Sequence, residues 1–288
     1  MSITTKWIVV EAGKIHRDAG VLFGELPFAG GYEHFLTTKR EAVQGTEKLV
    51  AGRDHRVWVS ANVLVLQTEK DRILIDTGTP PHHEDQEGDE WAGSRLQKTL
   101  SQHGMSPRAI TKIVLTSLDI DHAGGMAHLN RAGVLTCSYP KTEVFYNAAP
   151  KDRLRPRTIA EAGSALQLVP EANIRRCSGS TTVAPGVIMH PVYGPSLHGC
   201  IVEVNRGADR ILFMGDLCPT IYHLNPGIIP AYDDAPDLSF AERAYWLKVA
   251  QEEGYIVAFG HGKHIKAAWL ESRKEGLGIK PVEQIWMN

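Results

Sequence analysis

The stretch Thr116-Ser117-Leu118-Asp119-Ile120-Asp121-His122-Ala123-Gly124-Gly125 decides the fold of this chain. It follows the apolar run Ile113-Val114-Leu115, which predicts a strand, and Met126-Ala127-His128-Leu129 after it predicts the start of a short helix. Carboxylates, an imidazole and two glycines therefore lie at the end of a strand, where α/β proteins place their chemistry. Asp and His side chains this close together indicate a hard or borderline metal ion.

Composition favours a globular protein that acts on small molecules. The chain has 288 residues, of which 43% are hydrophobic and 22% charged, so it can bury a large core. Its net charge of -2 argues against a nucleic-acid surface. No linker or low-complexity segment divides the sequence, and we predict one domain over residues 1–288 with a small-molecule substrate and no nucleic-acid partner.

The sequence predicts a cytoplasmic protein without a membrane partner. No apolar run approaches the ~20 residues of a membrane span. The segment 1–10 predicts a first strand and lacks the charged, apolar and small-residue zones of a signal peptide. The cysteines are far apart and form no C-x-x-C, which favours buried free thiols in a reducing compartment; they are Cys137, Cys177, Cys200 and Cys218.

Strands and helices alternate in two rounds along the chain. β-branched and aromatic residues predict strands over 7–11, 21–26, 57–68, 72–76, 113–115, 143–146, 187–192, 200–205, 210–214 and 256–259. Helical spacing is found over 94–103, 148–165 and 240–253, and the acidic segment 82–90 is either a solvated loop or a lid. Two rounds of strands followed by helix predict an α/β fold, a four-layered αβ/βα sandwich of two similar halves.

Aspartates and histidines recur where predicted strands end. They are found in four places, each after an apolar strand and beside glycine: Asp76, Asp121 with His122, Asp216, and His261. A lone Asp or His at a strand end is usually a turn or capping residue. Four places with the same local pattern instead indicate one common site.

These motifs resemble those of the metallo-β-lactamase-fold hydrolase superfamily. The matching segments are 75–78, 116–125, 213–216 and 259–262, in the family's order and at similar spacing. Residues 215–261 are similar to a bacterial branch related to lactonases. The resemblance covers most of the chain and implies the sandwich fold and a metal-dependent hydrolase.

The departures from the family pattern concern one of its two metal sites. The family loop is usually Thr-His-x-His-x-Asp-His-x-Gly, and here Ser117 and Asp119 stand at its first two histidines. Pro195 stands at the third, with His198 three residues later, and whether His198 restores a second site stays open. The resemblance therefore implies a single ion, zinc first and otherwise iron or manganese, on the ligands Asp121, His122, Asp216 and His261.

The resemblance also suggests roles for nearby residues. Asp119 would hold or deprotonate an activated water, and Ser117 would orient Asp119 or the substrate. Asp76 either orients a ligand histidine or caps a turn. Three other histidines either line a pocket or are structural: His198, His223 and His264.

Several reactions remain open for such a site. The sequence Ser-x-Asp-x-Asp-His resembles chlorothalonil dehalogenase-type mononuclear members, which slightly favours hydrolytic dehalogenation of an electron-poor chlorinated aromatic by a metal-bound hydroxide. Lactone or ester hydrolysis is a close competitor. An iron-dependent oxidoreductase and a non-catalytic metal-binding member are further alternatives. Homodimers are common in the superfamily, and residues 20–60 are the predicted interface.

Overall fold

A computed structural model describes residues 5–24, 36–37, 49–50, 55–80, 82–84, 90–92, 95–148, 166–205, 209–273 and 276–283. Its helices are α1 (Ala19–Phe23), α2 (Leu96–Gln102), α3 (Ile120–Ala123) and α4 (Pro236–Glu252). No helix in these ranges is both long and apolar enough to cross a bilayer.

The strands of the described residues follow in chain order. They are β1 (Lys6–Asp18), β2 (Leu36–Thr37), β3 (Leu49–Val50), β4 (Arg56–Gln67), β5 (Arg72–Ile75), β6 (His82–Glu84), β7 (Glu90–Ala92), β8 (Lys112–Leu115), β9 (Ala127–Leu129), β10 (Leu135–Cys137), β11 (Glu143–Asn147), β12 (Ile174–Cys177), β13 (Thr181–Ala184), β14 (Val187–Pro191), β15 (Cys200–Asn205), β16 (Arg210–Phe213), β17 (Ile256–Ala258), β18 (Ala267–Arg273) and β19 (Gly276–Pro281).

Two large sheets contain most of these strands. The first has the order β12-β11-β8-β5-β4-β1-β7-β6, and the second has the order β13-β14-β15-β16-β17-β18-β19. Two small pairs, β2-β3 and β9-β10, complete the described strands. Parallel pairing of β5 with β8 in the first sheet and of β16 with β17 in the second is what positions the site, because parallel neighbours end at the same sheet edge.

Side-chain alternation along the strands produces the layers. In β4, Val63 and Val65 pack with Leu96 and Leu100 of α2, whereas Leu64 and Leu66 face the core between the sheets. In β16, Ile211 and Phe213 face that central core, and Leu212 packs with Leu247 and Ala250 of α4. Because side chains alternate with a period of two, one face of each sheet packs on a helix and the other face packs in the core between the sheets. The order helix, sheet, sheet, helix confirms the predicted four-layered sandwich.

The predicted strand over 21–26 is wrong. Ala19–Phe23 forms helix α1, and Asp18 caps it by accepting a hydrogen bond from the backbone N of Val21 at 3.1 Å. Leu22 and Phe23 are fully buried in a cluster with Ile15 and Val57, so packing outweighs the strand preference of the sequence. Residues 25 and 26 lie outside the described ranges.

Other boundaries also differ from the sequence prediction. The helix predicted to start at Met126 is wrong, because Ala127–Leu129 pairs with Leu135–Cys137 and the helical turn lies earlier, at Ile120–Ala123. Of the segment 82–90, His82–Glu84 and Glu90–Ala92 pair as antiparallel strands rather than forming a loop, and 85–89 lie outside the described residues. The helix predicted over 148–165 also falls almost wholly outside them.

Strand β15 has the predicted bounds, 200–205, and helix α4 comes close to its prediction. The sequence predicts this helix over 240–253, and it spans Pro236–Glu252, one turn longer at its start. A proline suits that first turn, because its missing N–H would have no partner there.

Candidate metal centre

The candidate ligands and Asp76 lie just after the ends of four strands. Asp76 follows β5, and Asp121 and His122 lie in α3 beyond β8. Asp216 lies in a 3₁₀ turn after β16, and His261 follows β17. The first three residues therefore come from one sheet and the last two from the other, and they meet where both parallel pairs end.

The predicted ligands converge on one point. Asp121, His122 and His261 each offer a ligand atom, and these atoms all lie within 4.8 Å of one another; no other such group of three is found among the described residues. Asp216 places Oδ2 3.0 Å from His122 Nε2 and Oδ1 3.0 Å from His261 Nε2. The structure thus brings together all four residues that the sequence predicted as ligands.

Hydrogen bonds on the far side of each ring orient the two histidines. His122 Nδ1 lies 2.8 Å from Asp76 Oδ2, and His261 Nδ1 lies 2.9 Å from the carbonyl oxygen of Ser60. A carboxylate and a carbonyl only accept here, so each Nδ1 carries the hydrogen and donates it. Each Nε2 therefore faces the centre beside a carboxylate oxygen of Asp216, and it would present its lone pair to an ion once its proton has been displaced.

Asp76 is held in an unusual backbone conformation. Its φ of 68° is left-handed, which costs a non-glycine residue about 1–2 kcal/mol. Its buried carboxylate accepts hydrogen bonds from Thr116 N at 2.7 Å and from Thr116 Oγ1 at 2.6 Å, besides the one from His122. Asp76 thus both binds the start of the loop after β8 and contacts a candidate ligand.

The donor set fits a divalent ion. His122 Nε2 is buried and makes no hydrogen bond of acceptable geometry, although Asp216 Oδ2 is only 3.0 Å away. Asp121 Oδ2 lies 3.6 Å from His261 Nε2, and Asp121 Oδ1 lies 3.8 Å from His122 Nε2. Two imidazole nitrogens and two carboxylates suit zinc, iron or manganese.

The charges of the candidate ligands shift the pKa values of His122 and Asp216. Burial opposes charge on His122, yet Asp216, Asp76 and Asp121 together raise the pKa of its imidazole well above the usual range. Burial likewise opposes ionisation of Asp216, but His122 and His261 hold the pKa of that carboxyl well below its usual range. An ion that binds here must displace the proton of His122, so binding releases a proton.

Comparison with known proteins identifies the family. A sequence model of the metallo-β-lactamase superfamily matches residues 56–261, more than half of the chain. This chain belongs to the metallo-β-lactamase superfamily. It is a metal-dependent hydrolase, as the sequence predicted.

Relatives and solved structures agree with that assignment. An N-acyl homoserine lactonase of Bacillus cereus is 26% identical over 213 residues, covering 68% of this chain and 79% of that protein. A probable metal-dependent hydrolase from Staphylococcus aureus has a TM-score of 0.78 at 19% identity, covering 99% of this chain and 100% of that one. AidC, described as a dizinc quorum-quenching lactonase, has a TM-score of 0.74 at 16% identity, covering 99% and 97%. The structural likenesses show the fold.

Ser117 and Asp119 stand where the superfamily loop usually carries histidines. Ser117 Oγ donates to Asp119 Oδ2 at 2.9 Å, and the backbone N of Asp119 donates to Ser117 Oγ at 3.1 Å. Asp119 precedes α3 without a side-chain capping bond, and it is half-buried. Its carboxylate is therefore oriented by Ser117 rather than used to start the helix.

The remaining predicted residues are not among the converging ligand atoms. Pro195 and His198 are buried in the turn between β14 and β15, and His198 does not join the group of converging ligand atoms. His223 contacts Thr220 Oγ1 at 2.9 Å and donates to the carbonyl oxygen of Leu22 at 3.1 Å. Burial lowers the pKa of His223 to about 3, as expected of a neutral structural histidine. His264 is exposed.

Two arginines at the site were not singled out from the sequence. Arg17 Nη2 lies 3.6 Å from Asp121 Oδ2. Arg243 is fully buried and donates to the carbonyl oxygens of Leu217, next to Asp216, and of Ile228. Neither lies in a recognisable motif. The one usable signal is weak: Arg243 interrupts the apolar positions of α4, and a buried arginine needs several partners.

Proposed function

We propose that this chain hydrolyses a lactone or ester with water activated by one divalent ion, zinc in the first instance. The ion would be held by Asp121, His122, Asp216 and His261. The observation that carries the proposal is the convergence of these side chains with both Nε2 atoms turned inward. The lactonases among the relatives favour a lactone or ester as the substrate.

Support for a single ion comes from the residues beside the ligands. Ser117 and Asp119 bond to each other, and Pro195 has no side-chain donor to offer. AidC is described as a dizinc enzyme, so one ion per chain would distinguish this protein from it. Iron or manganese would fit the same donor set.

Each residue then has a defined task. A bound divalent ion lowers the pKa of water toward neutrality. Asp119, oriented by Ser117, takes the water proton as the oxygen attacks the ester carbon, and it returns the proton to the departing alkoxide. Asp76 and the carbonyl oxygen of Ser60 accept the hydrogen of each Nδ1, so that each Nε2 would be the nitrogen that binds the ion.

Hydrolytic dehalogenation of a chlorinated aromatic is the second candidate. The feature that favours it is the loop sequence Ser117-x-Asp119-x-Asp121-His122. The same arrangement would let Asp119 take the water proton while chloride leaves as an anion that needs no proton. An electron-poor ring is required, because the attacking oxygen adds to the ring carbon.

One assay separates these reactions. The metal-free chain is loaded with zinc, iron or manganese and offered an N-acyl homoserine lactone, an aryl ester and a chlorinated aromatic nitrile. We expect ring opening or ester cleavage with one zinc per chain and none after chelation. Chloride release without lactone or ester cleavage would replace the proposal by the second candidate. No turnover with any metal would overturn both. Asp121→Asn is the variant expected to lose the ion.

Location and assembly belong to the same proposal. All four cysteines are free and buried, which fits a cytoplasmic protein. The interface predicted over 20–60 falls largely outside the described residues, and a homodimer remains a proposal that light scattering would test.

A further inference from the structure

Arg17 provides a fixed positive charge beside the candidate metal centre. It lies next to the last residue of β1 (Lys6–Asp18), and its side chain is 11% exposed. Its Nη2 is 3.6 Å from Asp121 Oδ2, and its guanidinium carbon is 5.0 Å from the centre of the Tyr232 ring. A guanidinium this buried needs such partners, and the carboxylate and the aromatic face both help to hold it in place.

The positive charge of Arg17 offsets part of the negative charge of the carboxylates at the site. The two inward-facing imidazoles are surrounded by three carboxylates, those of Asp76, Asp121 and Asp216. One divalent ion and Arg17 together carry three positive charges, which neutralises the group. A second divalent ion would leave excess positive charge in a buried site even when the carboxylate of Asp119 is counted with the other three, which is costly.

We propose that Arg17 takes the place of a second cation in this site. It is a positioning residue that acts through Asp121, and the inference rests on the single-ion site of the proposed function. Asp121 Oδ2 lies 3.6 Å from both Arg17 and His261, whereas Oδ1 lies 3.8 Å from His122. Arg17 therefore competes with the ion for Asp121, weakens ion binding and keeps the ion-free protein folded.

The test compares two substitutions of one side chain. Arg17→Met keeps most of the length and removes the charge, whereas Arg17→Lys keeps the charge and removes the planar group. Zinc affinity is measured by competition with a coloured chelator, ions per chain by elemental analysis, and the Tm of the ion-free protein by calorimetry. Arg56→Met is the matched control, because Arg56 pairs across from Asp18 and donates to the carbonyl oxygen of His16.

The charge of the side chain at position 17 predicts how zinc affinity and Tm change in each variant. We expect Arg17→Met to bind zinc about tenfold more tightly or more, and its ion-free form to have a lower Tm than wild type. Arg17→Lys should stay within about threefold of the wild-type affinity, and Arg56→Met should match wild type. If Arg17 only packs on Tyr232, both Arg17 variants should have the same change in Tm and the zinc affinity of wild type. That result would contradict the inference.

The outcomes separate this inference from the function on which it rests. If wild type binds one zinc and Arg17→Met binds it with equal or weaker affinity, this inference fails and the proposed function stands. If wild type binds no divalent ion, both fail.

Discussion

Asp76 Oδ2 and His122 Nδ1 lie 2.8 Å apart and join two loops that are 46 residues apart in the sequence. Because the same carboxylate also accepts two hydrogen bonds from Thr116, it fixes the ring that carries one candidate ligand atom. The tautomer of His122, and with it the direction of its lone pair, depends on a residue that does not bind the ion itself.

Asp76→Asn tests that dependence. Asparagine tolerates the left-handed backbone at this position, so the fold should persist while the negative charge is lost. We expect zinc affinity to fall by about 10–100-fold, as measured by chelator competition. Asp71→Asn is the control, since Asp71 pairs with Lys112 at 2.6 Å just before β5 and should leave zinc affinity unchanged. Equal affinities in the two variants would contradict the orienting role.

Asp119→Ala separates proton transfer from ion binding. The side chain of Asp119 makes no capping bond to α3, so its removal should leave the helix and the ion in place. We expect turnover to fall by about 100-fold or more with wild-type zinc content, and Ser117→Ala to fall less. Asp237→Ala, at the exposed start of α4, is the control. Loss of zinc from Asp119→Ala would make Asp119 a ligand instead.

Gly125→Ala probes how closely the loop packs. A Cβ atom on Gly125 would lie 2.2 Å from the carbonyl oxygen of Thr77, whose N and Oγ1 bond to the carbonyl oxygen of His122 at 2.7 and 2.9 Å. We expect a loss of about 1–3 kcal/mol in the free energy of unfolding and weaker zinc binding. Gly179→Ala, where a Cβ atom meets open space, should show neither change in denaturant titrations.

His223 should make the protein less stable in acid. Its folded pKa of about 3 lies below the ordinary value of 6.5, so below pH 6.5 the unfolded chain gains a proton that the folded chain does not. Stability therefore falls as pH drops from 6.5 toward 3, by up to about 1.4 kcal/mol per pH unit. His223→Gln should flatten that slope in denaturant titrations across this range. An unchanged slope would show that His223 is already protonated in the fold.

Asp233 should change the stability of the fold with pH in the direction opposite to that of His223. Burial raises its pKa to about 7 from an ordinary 3.8, so between these values the folded chain holds the extra proton. Stability from this group falls as pH rises from 3.8 to 7. Asp233→Asn should remove that decline and leave the acid slope of His223 in place, measured in the same titrations.

The strand ends could be predicted because local sequence determines them. Short apolar runs such as Ile113-Val114-Leu115 end at a polar residue or glycine, and parallel neighbours then bring their ends together. This pattern in the sequence alone predicts Asp76, Asp216 and His261 as site residues. The αβ/βα layering followed from the alternation of those runs with helical segments.

What could not be predicted depends on contacts between distant segments. Arg17 reads as one polar residue at the end of a strand, and only the fold brings it to Asp121. The 21–26 segment has the composition of a strand, yet Asp18 and the buried positions of Leu22 and Phe23 make its first three residues helical. In each case the deciding partner is either far away in the chain or a single capping side chain.

The candidate ligands come from both sheets, with Asp121 and His122 beyond β8 of the first and Asp216 and His261 beyond strands of the second. An ion shared by these residues would act as a removable cross-link across the sandwich. The time for which the ion stays bound would then depend on how often the two sheets separate. Chelation would loosen the whole molecule rather than one loop.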